Sequence, residues 1–463
     1  MKHNIATLIL AAGWGTRMHS NIPKVLHKVA HQPVLSWVLN AAASLSPERQ
    51  IVVVRPGMDQ VKDVVGHAQI VLQEKGEGTG AAVMAARASL EDFKGDVLVL
   101  FGDTPFITAE TLQCLVETRR STSNPAVVIV GFKPEDPAEY GRIVMNAHNQ
   151  IERIIEYNDA NEIEREIGLC NSGVMAIDGS CLFDLIDKLT PNNAKNEYYL
   201  TDIIEHARQM GRHCTVVEAS EEELMGINSR ADLARAEIEA QTQLRGAALA
   251  MGVTLIDPDS VYLSFDTKLG KDITIGPNVV IMPDVEIRDN VIIHAFCHLE
   301  GAKIKEGAVV GPFARLRPGS DIGRDVRIGN FVEIKNSQFE AQSKASHLSY
   351  IGDAHVGKCT NIGAGTITCN YDGIKKSKTI LGDNVFIGSN SALVAPVQIG
   401  NGAIVGAGSV VTNDVPDNAL CIARGRQVEK ANGATLYREQ NKKERGNVTL
   451  MTIVDNDRPQ SKN

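Results

Sequence analysis

The carboxy-terminal half of the chain repeats an aliphatic residue every six positions, and this period restricts its fold more than any other feature. A period of six fits neither an α-helix, which repeats about every 3.6 residues, nor a β-strand, which alternates about every two. It is typical of a parallel β-helix, in which each hexad supplies one strand and one turn and about three hexads complete a coil. An ordinary β-sandwich is the alternative, but three separate runs keep the same spacing. The recurring positions are Leu269, Ile275, Ile281, Ile287 and Ile293; Ile322, Ile328 and Ile334; and Leu381, Ile387, Leu393, Ile399, Val405 and Val411.

Two segments break this period, residues 335–350 and 367–380. Insertions in a solenoid map to loops on its surface and often carry function. We therefore expect both segments to leave the coil and to contribute to a site.

The amino-terminal half, in contrast, alternates short apolar segments with helical patterns. The apolar segments are ATLILAAG, RQIVVVRP, AQIVLQEK, DVLVLFGD and PAVVIVGF. Such alternation predicts a doubly wound, Rossmann-like α/β sheet with ligands at the carboxyl ends of its strands. A segment rich in Ala, Leu, Glu and Arg follows from Ser229 and predicts one long helix that joins the halves.

These patterns divide the chain into four parts. We predict a nucleotide-binding domain over 1–228, a linker helix over 229–252, a β-helix over 253–436 and a polar, largely disordered tail over 437–463. A chain of 463 residues has room for two or three domains.

Charge and cysteine content narrow the function classes. The net charge of −9 argues against a general nucleic-acid binder, and no apolar stretch approaches the roughly 18 residues of a membrane span. The eight cysteines include no Cys-x-x-Cys pair, which indicates a reduced, cytoplasmic protein without a disulfide framework or zinc site. Anionic ligands must then be held by local cations and backbone amides.

The loop LAAGWGTRM, followed by PKVL, is a candidate phosphate site. It is neither a P-loop nor a dinucleotide fingerprint, because Met18 stands where the third glycine of the fingerprint would be. Ala11, Ala12 and Gly13 lack bulk and let the backbone approach a ligand. Arg17 and Lys24 supply cations for a triphosphate and its developing charge, which makes both candidate catalytic residues.

Two further residues point to nucleotide and metal. Asp103 ends the strand DVLVLFGD, where a carboxylate is well placed to hold Mg²⁺. Gln73 offers one donor and one acceptor face, which suits the imide edge of uracil.

The loop and its Pro-Lys motif resemble the sugar-1-phosphate nucleotidyltransferases. Over nearly the whole chain the sequence resembles the family of bifunctional N-acetylglucosamine-1-phosphate uridylyltransferases and glucosamine-1-phosphate acetyltransferases, whose carboxy-terminal half is a left-handed β-helix. Trp14 and Phe101 depart from the commoner residues of that family, without removing a charge that the mechanism needs. The resemblance implies that Asn228 joins Asp103 at the metal and that a larger set binds uridine nucleotide and sugar. That set is Leu10, Ala11, Ala12, Gly13, Lys24, Gln73, Gly78, Thr79, Phe101, Gly102, Asp103, Gly141, Glu156, Asn171 and Asn228.

The motifs GPFARLRPG, VEIKNS, KASHLSYIGD and TNIGAGTITCNYDG resemble the acetyltransferase half. Acetyl transfer to an amine needs a base, and His347 can take a proton near neutral pH. The resemblance implies that glucosamine 1-phosphate contacts Arg317, Lys335, Tyr350 and Asn361. It implies that acetyl-coenzyme A contacts Ala364, Asn370, Tyr371, Ser389, Ala407 and Arg424.

The resemblance thus predicts a cytoplasmic enzyme, homotrimeric and bound to neither nucleic acid nor membrane. It would acetylate glucosamine 1-phosphate with acetyl-coenzyme A and couple the N-acetylglucosamine 1-phosphate to UTP with Mg²⁺, for bacterial envelope synthesis. One alternative is a monofunctional nucleotidyltransferase whose β-helix serves only oligomerisation. A second is a non-catalytic protein that kept both folds, although Arg17, Lys24, Asp103 and His347 are all present.

Overall fold

The computed structural model describes residues 4–137, 139–147 and 150–442. Among these residues no helix is both long and apolar enough to cross a bilayer. The predicted tail lies mostly outside them, although residues 433–442 are helical.

A mixed sheet forms the amino-terminal half. Every predicted apolar segment is one of its strands, and Cys170–Asp178 runs antiparallel to both of its neighbours. The hairpin of Arg142–Met145 and Ile151–Ile155 extends the sheet beside it. The remaining strand order, from one edge to the other, is Cys214–Glu218, Val127–Phe132, Cys170–Asp178, Asp96–Phe101, Ile5–Leu10, Arg49–Val54 and Gln69–Leu72.

Helices cover this sheet on both faces, and each face buries its own apolar cluster. The helices are Val34–Ala43, Thr79–Ala85, Arg87–Leu90, Ala109–Arg119, Glu162–Arg165, Leu182–Ile186 and Ile203–Gln209. The parallel strands Ile5–Leu10 and Asp96–Phe101 end side by side, with Leu10 paired to Phe101. The phosphate loop and Asp103 therefore leave the sheet at the same edge.

One helix, Arg230–Ala250, follows the sheet. Its amino end is capped by Ser229, whose side chain accepts from the amide of Asp232, and the Asp232 carboxylate accepts from the amides of Ser229 and Asn228. This reciprocal cap satisfies amides that the first turn leaves unpaired.

The chain then winds into three parallel sheets, and consecutive strands visit the three sheets in turn. Aliphatic side chains from all three meet along the axis in one continuous core. The fold class predicted from the sequence is confirmed. The first sheet holds Thr254–Leu255, Thr274–Ile275, Ile292–Ile293, Val309–Val310, Arg327–Asn330, Lys344–His347, Asn361–Ile362, Phe386–Ile387, Ile404–Val405 and Leu420–Cys421; the second holds Lys268–Leu269, Glu286–Ile287, Ala302–Ile304, Ser320–Ile322, Gln338–Phe339, Ala354–Val356, Thr379–Leu381 and Val397–Ile399; the third holds Val280–Ile281, His298–Leu299, Arg315–Leu316, Glu333–Lys335, Tyr350–Gly352, Ile367–Cys369, Ala392–Val394 and Val410–Val411.

The expectation that residues 335–350 leave the coil is wrong. The segment continues through all three sheets, with Phe339 paired to Ile322 and Ala345 paired to Ile328. An aromatic and a small residue take the interior positions there, and one hexad is a residue short, so the aliphatic period is hidden. Of the two expected insertions, only residues 370–378 leave the coil, between the strands that end at Cys369 and begin at Thr379.

A short hairpin, Lys28–Val29 with Gln32–Pro33, connects the two halves. At its turn, the amide of Ala30 donates to Glu237 of the linker helix at 2.7 Å, and its carbonyl accepts from the amide of Phe265 at 3.1 Å. The amino-terminal half, the helix and the first coil therefore share one contact point.

A buried ion-pair network lies at the edge of the sheet opposite the phosphate loop. Asp178 pairs across the strands with Asp96, and Arg119 lies 3.0 Å from Asp178 and 3.5 Å from Asp96. Arg212 also contacts Asp178 at 3.0 Å. Burial alone would raise the pKa of Asp178, but hydrogen bonds from Ser180 and Arg212 outweigh it and hold that pKa below its ordinary value of 3.8.

We expect Asp178→Asn to lower the free energy of unfolding by about 3 kcal/mol at neutral pH, because Arg119 loses the nearer of its two buried counter-charges. A depressed pKa contributes stability above the unfolded value, so the difference from wild type should shrink as pH falls below 3.8. Urea titrations across this range would measure it. The matched control is Asp59→Asn, which removes an exposed pair with Lys62 and should change stability little.

Candidate functional sites

The first site is a cleft of about 390 Å³ at the carboxyl ends of the parallel strands. Its floor is the loop after Ile5–Leu10, and its walls come from the segments after Val54 and Phe101. Most of the predicted nucleotide-binding residues line it: Leu10, Ala11, Ala12, Gly13, Lys24, Gln73, Gly78, Thr79, Phe101, Asp103 and Glu156.

A second cleft of about 230 Å³ opens beside the first and shares Thr79, Phe101 and Glu156 with it. Predicted sugar contacts Gly141 and Asn171 line this smaller cleft. Burial raises the pKa of Glu156, while a hydrogen bond from Thr201 at 3.3 Å opposes the shift. The pair of clefts can hold a nucleotide and a sugar side by side.

Lys24 is at the centre of the polar contacts in the first cleft. Its ammonium nitrogen pairs with an oxygen of Asp103 and donates to Oδ1 of Asn228 at 2.8 Å. The side chains of Lys24 and Asp103 are only 12% and 16% exposed. Three residues from distant parts of the chain thus converge on one point.

A carboxylate oxygen and an amide oxygen that meet at a single cation are hard donors suited to a divalent metal that keeps several other ligands. Asp103 and Asn228 fit that description. Among residues 4–137, 139–147 and 150–442, no group of three or more His, Cys, Asp or Glu gathers that could hold a metal by itself. Substrate phosphates and water would have to supply the remaining ligands.

Three predicted residues do not line the clefts. Asn228 reaches the first cleft only through its contact with Lys24. Arg17 is exposed in the short helical turn Thr16–Met18, and Gly102 lies behind the floor, where its amide donates to the carbonyl of Leu10 at 2.9 Å. The cleft also contains residues that sequence reasoning missed. These are Arg55, Glu77, Lys195, Glu197 and Tyr199 in the first cleft and Tyr140 and Thr201 in the second.

The second site lies on the β-helix, where a column of residues follows one corner. The amide of Leu348 donates to the carbonyl of Asn330, that of Gly365 to His347, that of Asn390 to Ala364, and that of Gly408 to Ser389. The side chain of Arg424 then donates to the carbonyl of Ala407 at 2.8 Å. Each coil adds one member to a column that runs Asn330, His347, Ala364, Ser389 and Ala407.

His347 is exposed at the end of the strand Lys344–His347. Above it, the residues of the column are small, so the corner forms a shallow path along the axis. The predicted imidazole base and three predicted acetyl-coenzyme A contacts therefore share one line.

Cations gather on a neighbouring face. Arg317 and Lys335 follow equivalent strand positions in successive coils, and Arg317 donates to Glu333 at 2.8 Å. Lys376, on the excursion of residues 370–378, was not predicted from the sequence. The nearby ammonium group of Lys335 lowers the pKa of Lys376, although Asp353 opposes the shift. Cations held this close favour an anionic ligand.

Tyr350 and Asn370 extend this face. Tyr350 pairs with Glu333 in the coil beneath, and Asn370 donates to Asp353 at 2.5 Å. Asn361 lies in another sheet, paired with Lys344, and Tyr371 is exposed on the excursion. The structure thus places the predicted acceptor residues on two faces on either side of the corner.

Comparisons with known proteins find a separate family match in each half of the chain. Residues 7–165 match the MobA-like NTP transferase domain, and residues 266–301, 301–336 and 378–413 match the bacterial transferase hexapeptide model of six repeats. The fold and the sites define a nucleotidyltransferase joined to a hexapeptide-repeat transferase.

Relatives cover almost the entire chain. The chain is 52% identical to "Bifunctional protein GlmU" of Paramagnetospirillum magneticum over 94% of its length and 97% of that protein. It is 52% identical to the protein of that name in Ruegeria sp. strain TM1040 (92% and 95% covered) and 47% identical to that in Zymomonas mobilis (95% and 98%). The chain belongs to the family of the bifunctional protein GlmU.

We expect Gly15→Ala to lower nucleotidyl transfer about a hundredfold, because small displacements of a catalytic group are costly. A Cβ at Gly15 would lie 2.5 Å from Cβ of Lys24. The matched control is Gly66→Ala, whose backbone is also left-handed but whose added carbon meets nothing within 4 Å. Both variants should lose about 1 kcal/mol of stability to left-handed backbone strain, and Gly15→Ala should lose more because Lys24 must shift away from the added carbon. Equal pyrophosphate release by the two would contradict a role of this contact.

Proposed function

We propose that the chain carries out two consecutive steps of UDP-N-acetylglucosamine synthesis. The β-helix half transfers acetyl from acetyl-coenzyme A to glucosamine 1-phosphate. The amino-terminal half then transfers uridylyl from UTP to N-acetylglucosamine 1-phosphate and releases pyrophosphate. The observation that carries this proposal is the presence of two separate polar sites, one centred on Lys24 and the other on His347.

In the uridylyl step, a phosphate oxygen of the sugar attacks the α-phosphorus of UTP, and the bond to pyrophosphate breaks. The chemistry needs alignment and charge neutralisation more than a covalent intermediate. Lys24 would neutralise the triphosphate, and the bare backbone of the loop would lie against the nucleotide. Asp103 and Asn228 would hold Mg²⁺, which when bound supplies further neutralisation of the phosphates.

The sugar phosphate occupies the second cleft in this proposal. Gly141 and Asn171 line it, and Glu156, half-buried between the clefts, can hydrogen-bond a sugar hydroxyl. Arg17, exposed outside the clefts, would act on the outer phosphates of the triphosphate.

In the acetyl step, the amine of glucosamine 1-phosphate attacks the thioester carbonyl. A carbon–nitrogen bond forms, the carbon–sulfur bond breaks, and the amine proton passes through His347 to the departing thiolate. Arg317, Lys335 and Lys376 would bind the sugar's phosphate, and Tyr350 and Asn361 would orient the sugar. The acetyl-coenzyme A arm would lie along Ala364, Ser389 and Ala407, with Arg424 near its phosphates and with Asn370 and Tyr371 closing over it.

The alternative of a monofunctional nucleotidyltransferase is not favoured. It would leave the His347 column and the cations around Lys335 without a ligand. The non-catalytic alternative also leaves the partly buried Lys24–Asp103 pair unexplained, because ion pairs removed from water contribute little net stability.

The cellular setting follows from the proposed reaction. The product is a precursor of bacterial envelope polysaccharides, and a cytoplasmic location is supported by eight unpaired cysteines, of which Cys114 and Cys359 are exposed. Neither membrane nor nucleic acid is a proposed partner.

A homotrimer is part of the proposal, and an exposed aromatic ridge supports it. The rings of Phe296, Phe313 and Phe331 stack along one corner at centroid distances of 4.8 and 5.1 Å, and Leu348 continues the ridge beside His347. Each of these side chains is 45–61% exposed. A ridge of exposed apolar side chains marks an interaction surface. Another copy packed against it would lie next to the imidazole.

The proposal is tested by product analysis with purified protein, glucosamine 1-phosphate, acetyl-coenzyme A, UTP and Mg²⁺, each omitted in turn. Omission of acetyl-coenzyme A should stop UDP-N-acetylglucosamine formation, and added N-acetylglucosamine 1-phosphate should restore it. If no acetylation occurred under any condition, the monofunctional alternative would be correct.

We expect the two activities to be separable by mutation. Lys24→Ala or Asp103→Ala should lower uridylyl transfer at least a hundredfold while acetylation stays near wild type, and His347→Ala should do the reverse. Separate assays of pyrophosphate and free thiol would measure the effects. Loss of both activities from one substitution in folded protein would contradict two independent sites.

We expect Phe313→Glu to convert the trimer to smaller species, because three carboxylates would be buried at the junction. Light scattering after size exclusion would measure the mass, and acetylation should fall while uridylyl transfer remains. The matched control is Ile163→Glu, a side chain 82% exposed on the other domain, which should leave the assembly unchanged. A trimer that persisted in Phe313→Glu would exclude this ridge from the interface.

A further inference from the structure

The imidazole of His347 has a side-chain partner that the family resemblance did not identify. Asn330 lies directly beneath it, because the strands Arg327–Asn330 and Lys344–His347 pair in parallel with Asn330 opposite His347. Oδ1 of Asn330 is 2.6 Å from Nδ1 of His347.

The orientation of the Asn330 amide at this contact decides which ring nitrogen carries the hydrogen. An amide oxygen can only accept, so Nδ1 of the neutral imidazole is the donor and Nε2 keeps its lone pair. The reversed amide would donate to Nδ1 and leave the hydrogen on Nε2, where the ring could not accept a proton from a substrate through that atom.

We infer that Asn330 is a positioning residue for acetyl transfer: it holds His347 in the tautomer and orientation in which Nε2 is the base. The inference rests on the proposed acetyltransferase function and deepens it. Because the amide is neutral, it orients the ring without the added negative charge that would favour the protonated ring.

The coil does not need this side-chain contact for its stability. Backbone bonds already join the same residues to their neighbours: the carbonyl of Asn330 accepts from Leu348 at 3.0 Å, and that of His347 accepts from Gly365 at 3.3 Å and from the hydroxyl of Ser349 at 2.9 Å. His347 is also exposed, so its packing does not fix the ring. A substitution at Asn330 should therefore leave the fold intact.

Apart from the carboxylate that Asn330→Asp introduces, the charged groups around the ring are the same in all of the variants proposed below. Arg327 lies in the strand beneath and Lys344 in the same strand, in register with each other three residues before the contact. The strand above, Asn361–Ile362, and the following Gly363–Gly365 carry no charge. A change in pH dependence can then be attributed to position 330.

The experiment compares Asn330→Ala and Asn330→Asp with wild type. Acetylation rates would be measured from about pH 5 to 9, which spans the ordinary titration of histidine. Asn330→Ala should lower kcat about tenfold at every pH with little change in either KM, as expected for the loss of one hydrogen bond. Asn330→Asp keeps the acceptor but adds charge, so the acid limb should move up by about one pH unit and the rate should recover above it.

Two controls accompany these variants. Uridylyl transfer should be unchanged in both, which reports that the amino-terminal half of each protein is folded, and an unchanged melting temperature of the whole chain should report the same of the β-helix. Gln398→Ala removes another exposed amide from a coil strand and should leave acetylation and its pH profile unchanged.

The outcomes separate the inference from the proposed function. If wild type acetylates but Asn330→Ala is as active, or Asn330→Asp keeps the wild-type pH profile, Asn330 does not position the base. If wild type itself fails to acetylate, the proposed function is wrong and the inference falls with it.

Discussion

The backbone hydrogen bonds between successive coils are the constraint on which the second half of the molecule depends. They bring residues 17 or 18 positions apart into direct contact, as between Asn330 and His347 or between Glu333 and Tyr350. Residues at a fixed spacing in the sequence therefore stack in a column along the axis of the β-helix. Functional groups can be added one coil at a time without any change to the apolar core, because the strands alternate between interior and surface.

Both proposed sites would have to attract anionic ligands although the chain carries a net charge of −9. In each, a carboxylate contacts a cation of the site: Asp103 contacts Lys24, and Glu333 contacts Arg317. In the proposed function, a phosphate would meet cations that are already aligned, so binding would order few additional side chains. The charges within a few ångströms of each cation would then affect ligand binding more than the net negative charge of the chain does.

Much of the fold could be predicted from the sequence, because its apolar residues recur with clear periods. The apolar segments before Gly13 and Gly102 and the hexad run from Leu381 predict the structure that forms. Prediction failed at residues 335–350, where Phe339 and Ala345 fill interior positions that the aliphatic pattern did not anticipate. The direction of the antiparallel strand Cys170–Asp178 was not predictable either, since alternating side chains do not encode which way a strand runs.

The candidate sites could be predicted from the sequence only in part. The resemblance named Lys24, Asp103 and Asn228, although nothing local in the sequence shows that residues 24 and 228 lie within hydrogen-bond distance. Lys195 and Tyr199 were missed because they lie in a loop without periodicity. Lys376 was missed because a single lysine among Lys375, Lys376 and Lys378 has no distinguishing mark until the excursion is folded.

The reciprocal cap at Ser229 has a consequence for how the two halves can be divided. The amide of Asn228 is held by Asp232, which belongs to the first turn of the long helix. The position of Asn228 in the first half therefore depends on a residue of the linker helix. The two halves can therefore be separated without disturbing Asn228 only by a cut after the first turn of the helix. A cut at the predicted boundary after residue 228 would leave the amide of Asn228 without its partner Asp232.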